Sequence, residues 1–425
     1  MGPDDPGDRS GRVKLTAEEA AMRSGAFGPA RQWAIEHQIK VGSYLGAADF
    51  VPVTQAHIMA DTESLGEAGV EWLERVAALP QHQRSVCIPT ITDPRGTDFA
   101  AAHRLRQQPW MLELERRAIS AFEALGILMT NTCINYQTIM PPVRGEHVAY
   151  GDTGVVIYSN SVCGARTNFE GGPSALSAGL TGRTPRYGYH LDKHRTATLL
   201  VEVGWTPADL SDWGALGGIV GRLAGNYWQV PVLVGIECVP GSDEMKHFGA
   251  ALASFGSVAL FHMCGITPEA PRLDDVHPPG RELRRHEVGA ADIRAFQQSY
   301  AKSVDAVDLV VFSAPQLSLI EMQCVAGLLD GRSANIPLLV VTSPQVKADA
   351  DRMGLTARIE CAGGTVLAGM CFYQSYAREM AEANGWRRLA TNSAKLANII
   401  GGYGYQSAFM SMAACIDAAC NGGTL

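Results

Sequence analysis

The stretch Tyr158-Ser-Asn-Ser-Val-Cys-Gly-Ala-Arg-Thr-Asn-Phe-Glu-Gly-Gly172 places hydroxyls, amides, a thiol, an arginine and a carboxylate between glycines. The β-branched run 155–158 leads into it and is typical of a strand. A strand that ends in a polar, glycine-rich loop often marks a small-molecule site in an α/β protein. Two interpretations stay open: a binding loop in which Arg166 holds an anion, or a buried turn whose amides and hydroxyls satisfy the backbone.

Around this stretch, short apolar runs alternate with longer helical patterns, which predicts an α/β fold with mostly parallel strands. Capping at Thr16 and a first-turn proline at Pro29 predict two early helices, and further helices are expected at 67–79 and 109–125. Several strand ends carry polar loops, so we expect a composite site at the carboxyl ends of the strands. Strands are predicted at 50–53, 86–88, 127–129, 155–158, 198–203, 230–236, 258–262, 309–312 and 338–342.

Length and composition limit the class of protein. The chain has 425 residues, so two or three domains are expected, with a crossing between domains near the proline-rich segment 270–280. Residues 1–11 are predicted to be a disordered tail. The net charge of −8, without a basic cluster, argues against nucleic acid as a partner, and no apolar run is long enough to span a membrane. Ten cysteines without CxxC pairs predict a reducing compartment, the cytoplasm, and mostly buried free thiols.

Several polar groups are candidates for chemistry, and each has a structural alternative. Cys133 and Cys371 could converge as metal ligands or be small buried hydrophobes. His190 and His194 have the spacing of one helical face. The turn that follows the predicted strand 258–262 carries His262, Cys264, Thr267 and Glu269, which could line a pocket or hold the turn together. Thr391-Asn-Ser-Ala-Lys395 could bind an anion or supply a base, or it could simply cap a helix.

Taken together, these motifs resemble the large subunit of the aconitase X family, over residues 15–422. The most specific segments are Asn160-Ser-Val-Cys-Gly-Ala-Arg-Thr-Asn168, Gly265-Ile-Thr-Pro-Glu-Ala270, Thr132-Cys133 with Tyr136, Thr391-Asn-Ser-Ala-Lys395 and Cys415-Ile-Asp-Ala-Ala419. The resemblance implies a multi-domain, three-layer α/β/α fold like the first three aconitase domains, with a small swivelling domain or second subunit over the cleft. It also implies dehydration of a small hydroxy acid, cis-3-hydroxy-L-proline or mevalonate 5-phosphate, with an iron–sulfur cluster on three cysteines.

The sequence departs from the family where the cluster is expected. The first and third cluster cysteines fall on Cys133 and Cys371, but the second falls on Ala314, and the neighbouring family histidine on Gln316. Alanine cannot bind iron, so a metal-free site is slightly favoured over a cluster completed by another ligand. Cys163 and Cys264 are unusual thiols that could supply that ligand.

Three functions therefore remain open. The preferred one is a lyase or isomerase that acts on a small hydroxy- or amino-carboxylic acid with an altered or absent cluster. The alternatives are a conventional cluster-dependent dehydratase and a non-catalytic ligand-binding protein. A small-subunit partner or a homo-oligomer is possible for each. The predicted catalytic residues are Lys395, Asp152, His190, His262 and Cys163, and the predicted substrate-binding residues are Asn160, Ser161, Arg166, Thr167, Asn168, Thr267, Glu269, Asn392 and Ser393.

Overall fold

The computed structural model describes residues 13–277, 280, 282–301 and 305–425, so the tail predicted at 1–11 lies outside the described residues. The strands are β1 Phe50–Pro52, β2 Ala56–Ile58, β3 Thr90–Thr92, β4 Ala149–Tyr150, β5 Arg183–Pro185, β6 Leu199–Val203, β7 Pro231–Val234, β8 His262–Met263, β9 Arg284–Val288, β10 Leu309–Leu317, β11 Leu338–Thr342, β12 Gly364–Ala368, β13 Arg388–Thr391 and β14 Gln406–Phe409.

Helices separate most of these strands, as the sequence predicted. They are α1 Ala17–Arg23, α2 Pro29–Tyr44, α3 Thr62–Ala77, α4 Gln81–Arg84, α5 Pro109–Ala124, α6 Asn135–Thr138, α7 Thr153–Ser161, α8 Pro173–Thr181, α9 Leu210–Ala224, α10 Ser242–Gly256, α11 Leu273–Val276, α12 Ala290–Ala301, α13 Leu319–Leu328, α14 Pro344–Arg352, α15 Leu355–Cys361, α16 Ala377–Asn384, α17 Ala394–Ile399 and α18 Met412–Cys420, with 3₁₀ turns at Gly188–His190, Asp192–His194, Phe372–Gln374 and Ile400–Tyr403. No described helix is long and apolar enough to cross a membrane.

Three parallel sheets organise the described part of the chain. Their strand orders are β3-β2-β4, β8-β7-β6-β9 and β12-β11-β10-β13-β14, and β1 pairs separately with β5 in an antiparallel ribbon. Because every strand within one parallel sheet points the same way, the loops at its carboxyl ends share one edge. This topology brings polar loops from distant parts of the chain together.

The five-stranded sheet is buried on both faces. Val310 and Phe312 of β10 belong to one hydrophobic core cluster, whereas the alternating residues Leu309 and Val311 belong to another. Successive side chains of a strand point to opposite faces, so helices cover both sides of this sheet. The layered, multi-domain α/β class predicted from the sequence is confirmed.

The run 155–158, predicted to be a strand, lies in helix α7. Asp152 precedes this helix and its Oδ2 accepts hydrogen bonds from the backbone N–H groups of Gly154 (2.6 Å) and Val155 (3.0 Å). A carboxylate cap of this kind starts a helix despite the β-branched residues that follow. All the residues from Gly154 to Ser161 are buried, so no polar face revealed the helical period in the sequence.

Other predicted elements were misplaced. The strand expected at 86–88 lies at β3, the run 127–129 makes only a single bridge between Ile91 and Leu128, and most of 258–262 is irregular before β8. His190 and His194 lie in separate 3₁₀ turns rather than on one helical face. The ten cysteines are free thiols, but only three of them are fully buried, so the expectation of mostly buried thiols was wrong.

Residues 270–276 of the proline-rich segment pack against the four-stranded sheet. Ala270 and Val276 form a core cluster with Leu200 of β6 and Val232 of β7. The domain crossing expected near this segment stays a prediction.

Candidate active site

The candidate active site lies where carboxyl ends of the three-stranded and five-stranded sheets approach each other. Asp93 follows β3 and Asp152 follows β4, whereas Cys371 follows β12 and Lys395 begins the helix after β13. Cys133 completes the group from the loop before α6. These side chains interact electrostatically with one another, although more than 300 residues of sequence separate Asp93 from Lys395.

Lys395 and Asp152 form a buried ion pair at the centre of this site. Lys395 Nζ lies 3.3 Å from Asp152 Oδ1 and 3.3 Å from Thr153 Oγ1, and both charged side chains are 5% exposed. Burial disfavours the ammonium, but the Asp152 carboxylate outweighs this effect and raises the pKa of Lys395. Burial similarly opposes the charged form of Asp152, yet Lys395 and backbone hydrogen bonds lower the pKa of that carboxyl. The pair is therefore ionised at neutral pH.

Asp93 contrasts with Asp152 because, among the described residues, no donor forms a hydrogen bond of ordinary geometry with either of its carboxyl oxygens, although the side chain is 1% exposed. Gln374 lies beside it, but its amide donates to Asp61 Oδ2 (3.3 Å). Burial and the nearby Asp152 charge raise the pKa of Asp93 well above its ordinary value. Burial thus favours the neutral, protonated form of Asp93, and its carboxyl oxygens are available to a ligand.

His57, on β2, lies against Asp93 with Nε2 3.6 Å from Asp93 Oδ1. The same nitrogen donates a hydrogen bond to the backbone oxygen of Thr132 (2.8 Å), which fixes the tautomer. Nδ1 therefore carries no proton, and it has no hydrogen-bond partner among the described residues. Burial lowers the pKa of His57. The ring is therefore neutral, with one free basic nitrogen.

The two thiols Cys133 and Cys371 lie in the same environment. Burial, reinforced by Asp93 and Asp152, raises the pKa of Cys133 well above its ordinary value, whereas burial raises the pKa of Cys371 to about 12 despite the opposing charge of Lys395. Cys371 also contributes to the raised pKa of Cys133, as a minor cause. Without a bound cation, both are protonated thiols rather than thiolates.

The residues present do not fit an iron–sulfur cluster held by three cysteines. Ala314 presents a methyl group at the second ligand position, and Cys133 Sγ accepts a hydrogen bond from the backbone N–H of Gln316 (3.4 Å). Within the described part of the chain, no three His, Cys, Asp or Glu side chains are arranged to hold a metal ion. The two candidate replacement ligands lie elsewhere: Cys163 is close to Glu146 and Cys264 to Asp275, and burial raises the pKa of both thiols.

A second polar cleft, of about 330 Å³, lies at the Arg166 loop. It is lined by Arg144, Gly145, Gly164, Arg166, Asp192, Arg195, Thr196, Glu269, Asp275 and Val276. Arg166 pairs with Asp192 and donates to the backbone oxygen of His190 (3.1 Å), and Arg195 binds Glu269 through Nε and Nη2. No hydrogen bond or ion pair among the described residues joins Arg166 to Lys395. The structure thus places the predicted anion holder and the predicted base in different groups.

Most of the polar side chains quoted in the opening stretch already have protein partners. Asn160 donates to the backbone oxygens of Thr167 and Ala259 (2.9 Å each) and accepts from Thr167 N–H (3.0 Å). Asn168 donates to Tyr187 and accepts from Tyr189 N–H and the Tyr227 hydroxyl. These contacts fit the buried-turn interpretation.

The other predicted binding residues have similar surroundings. Ser161 accepts from Phe261 N–H, Thr167 from Tyr150 N–H and Thr267 from Met263 N–H, while Ser393 caps α17 and donates to the Ala314 oxygen (2.5 Å). Asn392 differs, because its buried amide nitrogen has no hydrogen-bond partner in the part of the chain that the structure describes. The binding roles of all these residues stay predictions.

The two histidines predicted to be catalytic belong to the Arg166 region. His190 contacts His147 through the two Nδ1 atoms (2.9 Å), and burial lowers its pKa well below the ordinary value. His262 lies against the backbone oxygen of Arg195 (2.7 Å). Their catalytic role is untested. Asp93 and His57 were not among the predicted site residues, although each lies in a polar segment that ends an expected strand, 89–94 and 54–57.

Comparison with known proteins decides the family. Residues 12–193, 197–298 and 307–421 match the first, second and third domains of aconitase X, respectively. The chain belongs to the aconitase X family. It is 36% identical to the phosphomevalonate dehydratase large subunit of Methanothermobacter thermautotrophicus, over 92% of this chain and 95% of that one. The cis-3-hydroxy-L-proline dehydratase of Hypocrea jecorina is 32% identical, over 96% of this chain but 69% of the relative.

A solved structure supports the same assignment. The crystal structure of Thermococcus kodakaraensis aconitase X in its holo-form superimposes with a TM-score of 0.85 at 31% identity, covering 96% of this chain and all of that chain. Because these relatives are dehydratases and match over most of the chain, this aconitase X protein is an enzyme of the lyase type. The family resemblance inferred from the sequence is confirmed.

Proposed function

We propose that this enzyme eliminates water from, or rearranges, a small hydroxy- or amino-carboxylic acid without a three-cysteine cluster. The observation that carries the proposal is Asp93, a buried carboxyl with two unpartnered oxygens beside the Asp152–Lys395 ion pair and two thiols. A hydroxyl group is a poor leaving group unless a Lewis acid or a proton assists it. A neutral carboxylic acid supplies that proton.

The buried groups divide the reaction between them. The substrate's C–H proton passes to His57 Nδ1, its bonding electrons form the double bond, and the hydroxyl leaves as water with the proton of Asp93. The Lys395 ammonium stabilises the negative charge of the substrate carboxylate and of the enolate that develops. When the product leaves, His57 Nδ1 releases its proton and Asp93 takes one up by exchange with solvent, which restores both neutral groups and the original His57 tautomer.

The substrates of the relatives define the first compounds to assay. We propose mevalonate 5-phosphate and cis-3-hydroxy-L-proline as the two starting candidates, in that order because the large-subunit relatives match along nearly their whole length. The cleft at Arg166 is suited to a phosphate or carboxylate because arginine forks two donors onto such groups. The names of the relatives also support a small-subunit partner, with a homo-oligomer as the alternative. Location in the cytoplasm stays a prediction.

Asp93→Asn tests the proposal. The amide keeps the shape but cannot protonate a leaving hydroxyl, so we expect kcat to fall about 10²–10⁴-fold. In the wild type, the rate should fall as the pH rises through the elevated pKa of Asp93, and the variant should lose this alkaline limb. The measurement is a pH–rate profile of dehydration, with and without a co-purified partner.

Glu170→Gln is the matched control, since Glu170 is also a buried carboxyl with a raised pKa, but it accepts a hydrogen bond from the Thr184 hydroxyl (2.8 Å) away from the thiols. Its activity should match the wild type. Unchanged kcat in Asp93→Asn would refute the acid role, and turnover of neither compound would favour a different substrate or a non-catalytic protein.

A further inference from the structure

Gln316, the second-last residue of strand β10, connects the loop that carries Cys133 with the loop that carries Cys371. Its side-chain Oε1 accepts a hydrogen bond from Cys133 N–H (3.3 Å), while its Nε2 donates to the backbone oxygens of Asn131 (3.1 Å) and Met370 (3.2 Å). Its own backbone N–H donates to Cys133 Sγ. One side chain thus bonds to the residues on both sides of Thr132 and to the residue before Cys371.

These bonds use the whole hydrogen-bonding capacity of the amide nitrogen, inside a site from which solvent is excluded. Gln316 is 0% exposed, and its partners are 183–185 residues away on one side and 54 on the other. Hydrogen bonds between such distant loops fix their relative position. A side chain that merely filled space would not need donors and an acceptor matched to three backbone groups.

A buried charge network of Lys246, Glu321 and Asp243 binds the backbone oxygen of Gln316. Lys246 Nζ donates to the Gln316 oxygen (3.3 Å) and also pairs with Glu321 and Asp243. Lys246 is fully buried, and His247 bonds to the other oxygen of Glu321 (2.7 Å). Removing either partner would leave a buried charge, so the network holds the Gln316 backbone in one place.

We infer that Gln316 is the positioning residue that holds the Cys133 and Cys371 loops together, so that the two thiols are assembled by protein hydrogen bonds and need no metal. A metal centre cross-links the loops that supply its ligands. Here strand β10 carries Ala314 at the position of the family's second ligand, and the amide of Gln316, two residues later, supplies the cross-link. This inference does not depend on which substrate the enzyme uses.

Native-state labelling of cysteines tests the inference without any turnover. Gln316→Met keeps the volume of the side chain but removes its donors and acceptor. We expect the rates at which Cys133 and Cys371 react with a small thiol reagent to rise about tenfold, because the two loops can then open locally. Peptide mapping by mass spectrometry separates these sites from the exposed Cys87, Cys324 and Cys361.

Two comparisons separate a local effect from general destabilisation. Cys415 is fully buried in α18, and its labelling rate should stay unchanged in Gln316→Met. Gln345→Met removes a glutamine with one hydrogen bond to the Thr130 oxygen (3.1 Å) and should leave all three rates unchanged. Equal acceleration at Cys415, or no acceleration at Cys133 and Cys371, would overturn the inference.

A second measurement uses the wild type. If the amide cross-link assembles the loops, a metal chelator should change neither the unfolding temperature nor the labelling rates of Cys133 and Cys371. A chelator-induced rise in those rates would show that a metal holds the loops and would overturn the inference. Neither result depends on the assay of Asp93→Asn, so the two proposals fail separately.

Discussion

Two buried polar regions differ in what their side chains bind. One is the thiol centre, formed by His57, Asp93, Cys133, Asp152, Cys371 and Lys395, and the other is the Asn160–Asn168 region. In the Asn160–Asn168 region, the side chains of Asn160, Thr167 and Asn168 form hydrogen bonds with protein atoms. In the thiol centre, the Asp93 oxygens and Nδ1 of His57 have no hydrogen-bond partner among the described residues. Buried polar groups are nearly always satisfied, so unsatisfied ones that cluster beside an ion pair indicate a place for a ligand.

We propose that this difference separates a region that carries the chemistry from one that supports the fold. The Asn160–Asn168 region shapes the wall that carries Arg166 and stabilises the fold, whereas the thiol centre is kept polar at a cost in stability. Substitutions in the two regions should therefore act on different quantities: on kcat in the thiol centre and on the free energy of unfolding in the other region.

Among the further substitutions that compare the two regions, the largest effect is expected at Lys395. Lys395→Met removes the positive charge that stabilises the developing enolate, so kcat should fall about 10²–10³-fold. Steady-state kinetics measure this loss, and Lys347→Met serves as the control because Lys347 makes an exposed ion pair with Asp351. A full kcat in Lys395→Met would break the contrast between the two regions.

Asn168→Ala should have the converse effect. It leaves the Tyr187 oxygen, the Tyr189 N–H and the Tyr227 hydroxyl without their partner, so unfolding should become easier by about 2–3 kcal/mol. Denaturant unfolding measures the loss, and kcat of the folded fraction should be retained. A variant that is stable but inactive would instead return Asn168 to the substrate-binding residues.

A smaller, pH-dependent effect is expected at Glu170. Burial raises its pKa from 4.5 to about 7, so the folded state loses stability as the pH rises between these two values. Glu170→Gln removes that loss and should stabilise the protein by about 2 kcal/mol at pH 8, with little change at about pH 4.5. Thermal unfolding at the two pH values checks the sign. Equal stability of variant and wild type at both would contradict the assigned pKa.

The sequence predicted the fold class, the family and the candidates Cys133, Asp152, Cys371 and Lys395, but it did not single out Asp93 or His57. Arg166, Asn160 and Asn168 were prominent because they lie close together in one polar stretch. Asp93 and His57 were not, because their importance depends on loops that meet only in the folded chain. Gln316 could be recognised only as a departure from the family pattern, since its three partners are backbone atoms of distant loops.

The local errors have a similar origin. The segment 155–158 was predicted as a strand from its β-branched residues, but the Asp152 cap and burial on all sides make it helical. Asp152 and Lys395 were both predicted to be catalytic, and the structure places Lys395 Nζ 3.3 Å from Asp152 Oδ1, although their catalytic role stays a prediction. Sequence patterns report local preference and burial, whereas pairing between distant side chains requires the fold.

The most direct test of the central claim is iron and sulfide analysis of the anaerobically purified and reconstituted enzyme, measured together with its dehydration activity. We expect the wild type to turn over substrate with iron and sulfide far below one cluster per chain, and the Ala314→Cys/Gln316→His variant to take up more iron and show the visible absorption of a cluster. A stoichiometric cluster in the wild type, with activity that follows iron content, would contradict a metal-free centre built on Asp93, Lys395 and Gln316.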